Sequence, residues 1–343
     1  MQNINSEKPE FGRSALIQKL RGLLLPTPTP YAANDAVDPA AWRANLEKWS
    51  QTGIAGFVVL GSTGERVNLN EREYDEALAA VRPSTDLLFI AGAGQESTRG
   101  SIEEVKRAAH LGAEAVLVIT PHFYRSSVTQ DALIAHYSAI ADSSPVPVLL
   151  YSMPALTGIK IEPETIAELS EHQNIIGVKD SSADIDGLKR TVELVRKGAI
   201  NSLADTLASG TSLKRDDFVV LTGNGTVLYD ALRVGADGAI LAVGCVVPEL
   251  CLQIFHAVQS GNHEHAAGLQ QVLTPLAQAV TTRFGIGGLK AAMDMIGLAG
   301  GRVRAPLQSP AESARDEIAQ LLSQAQAALN SNAVAGAMTT GLQ

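Results

Sequence analysis

The sequence predicts an α/β fold, a (β/α)8 TIM barrel with a C-terminal helical appendage. Three observations predict it. Short apolar runs rich in β-branched residues alternate with longer amphipathic stretches, and eight such units can be counted. Several runs are apolar without interruption, as strands of a parallel sheet covered on both faces must be. The units fit within residues 22–260, close to the ~250 residues such a barrel needs. A chain of 343 residues with 45% hydrophobic content can fill a large core, as one α/β domain or as two smaller ones.

Taken in order, residues 1–21 are an N-terminal extension that precedes the first strand, Gly22–Leu25, and its helix, Pro39–Thr52. Ile54–Leu60 is followed by Glu71–Arg82, Leu87–Ala91 by Arg99–Leu111, and Ala115–Thr120 by Asp131–Asp142. Val146–Tyr151 precedes Pro163–Glu171, and Ile175–Lys179 precedes Ile185–Lys197. Phe218–Thr222 leads to Val227–Val234, and Gly238–Val243 to a last barrel helix from Glu249. Gly198–Asp216 reads as a long helix-to-strand connection. Such connections lie on the N-terminal face of a barrel, away from the usual active site, so a surface insertion is expected there. Residues 261–330 are expected to be a helical region and 331–343, small and polar, a flexible tail that frays.

Charged residues are 18% of the chain and the formal net charge is −9, without a clustered basic stripe. That argues against nucleic acid as a partner. Cys245 and Cys251 form no CxxC pair, so a reduced, cytoplasmic protein is expected. The first twenty residues lack the long apolar core of a signal peptide. No apolar run reaches the ~20 residues of a membrane span. "AGAG" after the third strand lacks the third glycine of a dinucleotide fingerprint, which excludes a nicotinamide site. His263 and His265, two residues apart, do not share a helix face, so no metal site is expected there.

Catalytic groups of such barrels stand at the C-terminal ends of the strands. The sixth strand, "IIGVK", ends in Lys179. An amine held in an apolar pocket loses solvation of its charged form, and the free base can attack a ketone. The alternative is a lysine that leaves the sheet and snorkels to water. Tyr151 ends the fifth strand, where its phenol could pass protons or simply bond a backbone carbonyl. "GSTGE", Gly61–Glu65, offers two hydroxyls and a glycine-flanked turn of N–H groups. It could cradle a carboxylate, with Thr63 relaying a proton toward Tyr151, or it could be an ordinary loop. Position alone leaves these alternatives open.

Together "GSTGE", "YSMPALTG" (Tyr151–Gly158) and "IIGVKDS" (Ile175–Ser181) resemble the dihydrodipicolinate synthase / N-acetylneuraminate lyase family of class I pyruvate aldolases, over about Leu23 to Gln308. The resemblance implies a barrel with a C-terminal helical part, a homotetramer built as a dimer of dimers, a small 2-oxo acid substrate carrying a pyruvate moiety, and no cofactor or metal. It places Lys179 on the Schiff-base lysine and Tyr151 on the proton-shuttling tyrosine. Ser62 and Thr63 fall on the hydroxyl pair that binds the 2-oxo acid carboxylate and relays protons. Gly223 falls on the turn lining the pocket and Ile240 on its apolar wall. Three stretches look closest to 4-hydroxy-2-oxoglutarate aldolases, which yield pyruvate and glyoxylate. The synthases of the family carry an arginine where this chain has Leu156, and the family often has a tyrosine, reaching a neighbouring subunit's site, where this chain has Phe123. A synthase or a sugar-acid dehydratase is the alternative.

Overall fold

A computed structural model describes residues 12–209 and 217–340 of the chain. Eight strands form one closed parallel barrel in sequence order. They are β1 (Leu23–Thr27), β2 (Gly56–Val59), β3 (Leu88–Ala93), β4 (Ala115–Ile119), β5 (Val148–Ser152), β6 (Ile175–Asp180), β7 (Val219–Thr222) and β8 (Gly238–Ile240).

The helices in chain order begin with α1 (Arg13–Leu20), α2 (Pro39–Ser50), α3 (Glu71–Val81), α4 (Thr98–His110) and α5 (Gln130–Ser143). Next come α6 (Pro154–Thr157), α7 (Pro163–Leu169), α8 (Ile185–Ser209), α9 (Leu228–Arg233) and α10 (Pro248–Gln259). The C-terminal region comprises α11 (His263–Gln278), α12 (Gly285–Met295) and α13 (Glu312–Thr340). Local chemistry starts several of them. The side chains of Asp38, Asn70, Ser97 and Thr129 accept hydrogen bonds from the first turns of α2, α3, α4 and α5. Each satisfies an N–H that has no partner inside its helix.

Strand alternation divides the core in two. Outward residues such as Phe57, Phe89, Val118 and Leu150 pack under the helices. Inward residues such as Leu24, Val58, Ile90, Leu117 and Leu221 fill the barrel. The barrel floor is a finding beyond the expected N-terminal extension. Leu16, Ile17 and Leu20 of α1 are buried and join the inward cluster. Arg13 bonds the carbonyl of Gln173 just before β6, and Arg21 pairs with Asp237 just before β8. Helix α1 therefore plugs the N-terminal end of the barrel. Three buried aliphatic side chains are worth ~1.5–3 kcal/mol each in apolar area removed from water.

Two expectations about connections change. Residues 198–209 continue α8 and are not a loop. The single Gly198 costs a helix only ~1 kcal/mol, and no proline follows to stop it. The remainder of the expected insertion, 210–216, lies outside the described residues. At the other end, α13 runs through 331–340, the stretch expected to fray. The C-terminal region also does more than append helices. Between α12 and α13 the chain returns to the barrel, where Asn45 and Ala299 exchange two hydrogen bonds.

One buried group on the outer layer predicts a pH dependence. His136 of α5 is 6% exposed, its Nδ1 lies 2.9 Å from the Thr98 hydroxyl, and burial lowers its pKa from 6.5 to about 4. Between those values the unfolded chain binds a proton that the folded state refuses. The stabilisation is therefore complete above pH 6.5 and is lost as pH falls toward 4, by up to about 3 kcal/mol. Replacing His136 with Gln should flatten the fall of the melting temperature across that window. An unaltered slope in the variant would assign the fall to other groups.

Candidate active site

The floor of the candidate site is made by β5 and β6. Tyr151 pairs with Lys179 across these strands. A register shift between Val148 and Leu149 places both Ile176 and Gly177 between outward Ile175 and outward Val178. This bulge sets the phase of the strand end, so that Lys179 shares the inner face with Tyr151. Only glycine fits at 177. A Cβ there would come within 2.6 Å of the Val219 carbonyl and side chain. Lys179 is 4% exposed, Tyr151 5%, and the ammonium nitrogen lies 4.3 Å from the centre of the phenol ring. Neither is a snorkelling surface group.

The "GSTGE" loop forms a 3-10 turn, Ser62–Gly64, after β2. Ser62 Oγ faces the Tyr151 hydroxyl at 3.5 Å. A long contact of this kind is common in an unliganded site. The hydroxyl that faces Tyr151 is that of Ser62, and no hydrogen bond joins Thr63 to Tyr151 among the described residues. Thr63 is 8% exposed and occupies the next position in the turn.

Gly223 follows β7 beside the lysine. A Cβ at this position would lie 2.6 Å from Lys179 Cε and 1.9 Å from Ser181 Oγ, so any side chain here would push both of these groups aside. Ile240 is fully buried on β8 within the inward cluster. Leu156 is in α6 and is exposed, as is Phe123, and neither lines the cavity at the barrel mouth. Phe123 meets Tyr124 edge-on with ring centres 5.0 Å apart. Its loop is tied down by Glu96, which accepts the N–H groups of His122 and Phe123. Phe123 therefore does not enter the site of its own chain.

A cavity of about 300 Å³ opens from this floor. Its walls include Ser62, Tyr151, Gln95, Glu96, His122 and Arg66. Arg66 forms an ion pair with buried Glu104, whose second oxygen accepts the N–H of Gly94 at 2.8 Å. Arg66 thus braces the loops after β2 and β3. Lys179 is not on this wall; it stands against the Tyr151 ring that is.

Sequence reading missed Ser181. It is 6% exposed, and its hydroxyl is buried with no protein partner. An orphan hydroxyl beside Lys179 and Gly223 is a place for a substrate oxygen. Its spacing, two residues after Lys179, was the available signal, although the chain has already left the strand there.

A closed parallel barrel with a buried lysine and tyrosine at its mouth is the arrangement of a class I aldolase-type lyase, the class to which the family match assigns the chain. The chain belongs to the dihydrodipicolinate synthetase family, whose model it matches over residues 19–325. It is 32% identical over 287 residues to a 4-hydroxy-tetrahydrodipicolinate synthase of Methanothrix thermoacetophila, covering 84% of this chain and 90% of that one. It is 34% identical over 282 residues to the enzyme of that name from Stenotrophomonas maltophilia, covering 78% and 88%. Among solved structures, the dihydrodipicolinate synthase of Thermotoga maritima superposes with a TM-score of 0.80 at 28% identity, covering 90% of this chain and 99% of that one. A prophage protein of the same family from Escherichia coli, solved in complex with pyruvate, gives 0.77 at 28% identity, covering 89% and 98%.

Proposed function

We propose that the protein is a Schiff-base lyase that cleaves a 4-hydroxy-2-oxo acid, such as 4-hydroxy-2-oxoglutarate, to pyruvate and an aldehyde, here glyoxylate. The observation that carries the chemistry is Lys179, buried and held against Tyr151 at the ends of adjacent strands. The Lys179 amine adds to the substrate ketone and, with one proton taken up, water leaves to give an iminium. Tyr151 takes the proton of the C4 hydroxyl, and the oxygen's electron pair forms the new carbonyl. The C3–C4 pair moves to C3 and neutralises the iminium as an enamine, and the aldehyde leaves. Tyr151 returns its proton to C3, which restores the iminium. Water then releases pyruvate, the amine and the proton taken up in the first step. The Ser62–Thr63 turn is the proposed seat of the 2-oxo acid carboxylate, and Gly223 and Ile240 its walls.

The direction and the aldehyde are read from Leu156. The carboxylate of aspartate semialdehyde stands three bonds from its reacting carbon, and in the synthases an arginine in this loop position meets it. Leucine cannot pair a carboxylate. The carboxylate of glyoxylate is attached directly to the reacting carbon, and the unpartnered Ser181 hydroxyl beside Lys179 and Gly223 is the group proposed to meet it. A second reading is the reverse type of step, condensation of pyruvate with aspartate semialdehyde. The names of the curated relatives favour it over cleavage, and the same lysine and imine would serve it. Arg125 also favours it, because its guanidinium lies within 2.8 Å of where a Cβ on Gly158 would stand, two residues past Leu156.

A substrate panel with lactate dehydrogenase-coupled detection of pyruvate separates the two. Clear pyruvate release from 4-hydroxy-2-oxoglutarate and poor consumption of aspartate semialdehyde are expected. Leu156→Arg should improve condensation by about tenfold or less, below the ~1.5–3 kcal/mol of a well-made charged hydrogen bond, because position 156 is exposed and outside the cavity. Efficient condensation by the unaltered protein would overturn the cleavage reading in favour of the second.

A further inference from the structure

Glu65 closes the hydroxyl turn in a backbone conformation that glutamate seldom adopts, with φ 55° and ψ 31°. Left-handed residues other than glycine and asparagine persist only where their surroundings fix them. The surroundings here are ionic and wholly inside the protein. Glu65 Oε1 lies 2.5 Å from the ammonium of Lys290 on α12, and both side chains are essentially inaccessible to solvent. Glu65 Oε2 accepts the backbone N–H of Arg304 at 3.0 Å. The Lys290 ammonium also donates to the Arg302 carbonyl at 2.7 Å and faces the Tyr31 ring at 4.4 Å. The opposite end of the same network is closed by Arg304, which pairs with Glu73 and also stacks on Tyr31. Neither Glu65 nor Lys290 lines the cavity. An ion pair carried this far out of water contributes little net stability compared with apolar residues of the same size. Holding a geometry is a role for which the cost is intelligible.

We propose that the buried Glu65–Lys290 pair is a positioning device, by which the C-terminal region fixes the Ser62–Thr63 turn in the place where its hydroxyls meet the 2-oxo acid and Tyr151. Thr29, two residues past the end of β1, supports the same turn, its hydroxyl donating to the Gly64 carbonyl at 2.6 Å. The device reaches the reaction only through that turn, so it should govern how the carboxylate is held and how the proton path is aligned, and not whether Lys179 can form an imine. The inference rests on the proposed imine chemistry.

Reductive trapping with pyruvate and borohydride, read as adduct yield against pyruvate concentration, separates the two levels, with steady-state turnover of the active substrate measured alongside. The variants are Lys290→Met and the double variant Glu65→Gln/Lys290→Met, which leaves no unpaired buried charge and so is the one expected to fold. Displacements on the order of 1 Å in such sites cost ~100-fold in rate. The folded double variant should lose about that much kcat and need about tenfold more pyruvate for half-maximal trapping, while reaching the wild-type yield on Lys179 at saturation. A folded double variant with wild-type kcat and half-saturation, whatever its melting temperature, would overturn the positioning role and leave the imine reading standing. No adduct on Lys179 in the wild type would overturn both.

Discussion

Lys179→Ala is expected to abolish turnover, with no residual activity above background. The iminium is the electron sink of the proposed reaction, and among the described residues no second lysine stands beside Tyr151 to replace it. Lys160, in the loop after α6, is committed to Asp184 at 2.7 Å. Because Lys179 is buried, alanine removes a long side chain and opens space that the inward cluster lines. The fold should survive, since the barrel's closure depends on backbone ladders that the substitution leaves in place. Circular dichroism and melting behaviour near those of the wild type, with turnover lost, would meet the expectation. Retained turnover would refute the assignment of the amine.

Tyr151→Phe should produce the second largest effect, a fall in turnover of ~10²–10⁴-fold, or about 3–5 kcal/mol of barrier. The ring stays, and with it the contact to the Lys179 ammonium at 4.3 Å. What goes is the hydroxyl that faces Ser62. Imine formation should remain detectable, because the amine is untouched, while proton transfer to and from the substrate suffers. Ser62→Ala should follow the same pattern more weakly than Tyr151→Phe. Thr63→Ala should affect the binding of the 2-oxo acid more than the proton path, since the hydrogen-bond contact to the phenol comes from Ser62. Unchanged turnover in Tyr151→Phe would show that another group moves the proton.

How much of this was legible in the sequence depended on the range of the interaction. Strands such as β4 and β6 were legible because parallel strands buried on both faces must be written as apolar runs. Lys179 stood out because the run before it, Ile175–Val178, is apolar without interruption. The bulge at Ile176–Gly177 was not legible, since a run of apolar residues carries no sign of its own register. Yet that bulge decides that the lysine faces inward. Likewise the sequence offers adjacent hydroxyls at Ser62 and Thr63, and only the 3-10 turn selects the one that meets Tyr151. Helix α1 left a readable trace, Leu16, Ile17 and Leu20 at helical spacing, but not the fact that the barrel floor needed a plug. Lys290 is a lone charge inside "GIGGLKAAM", which signals a buried partner without naming it. The partner, Glu65, is at the other end of the chain, and only the tertiary structure joins them.

The central claim is that Lys179 becomes covalently linked to a 2-oxo acid. Its most direct test is borohydride reduction of the protein in the presence of pyruvate, followed by peptide mass mapping. The account predicts one reduced pyruvate adduct per chain, on the peptide that carries Lys179, and none in Lys179→Ala. An adduct on Lys160 or Lys189 with Lys179 unmodified, or no adduct at saturating pyruvate, would contradict it.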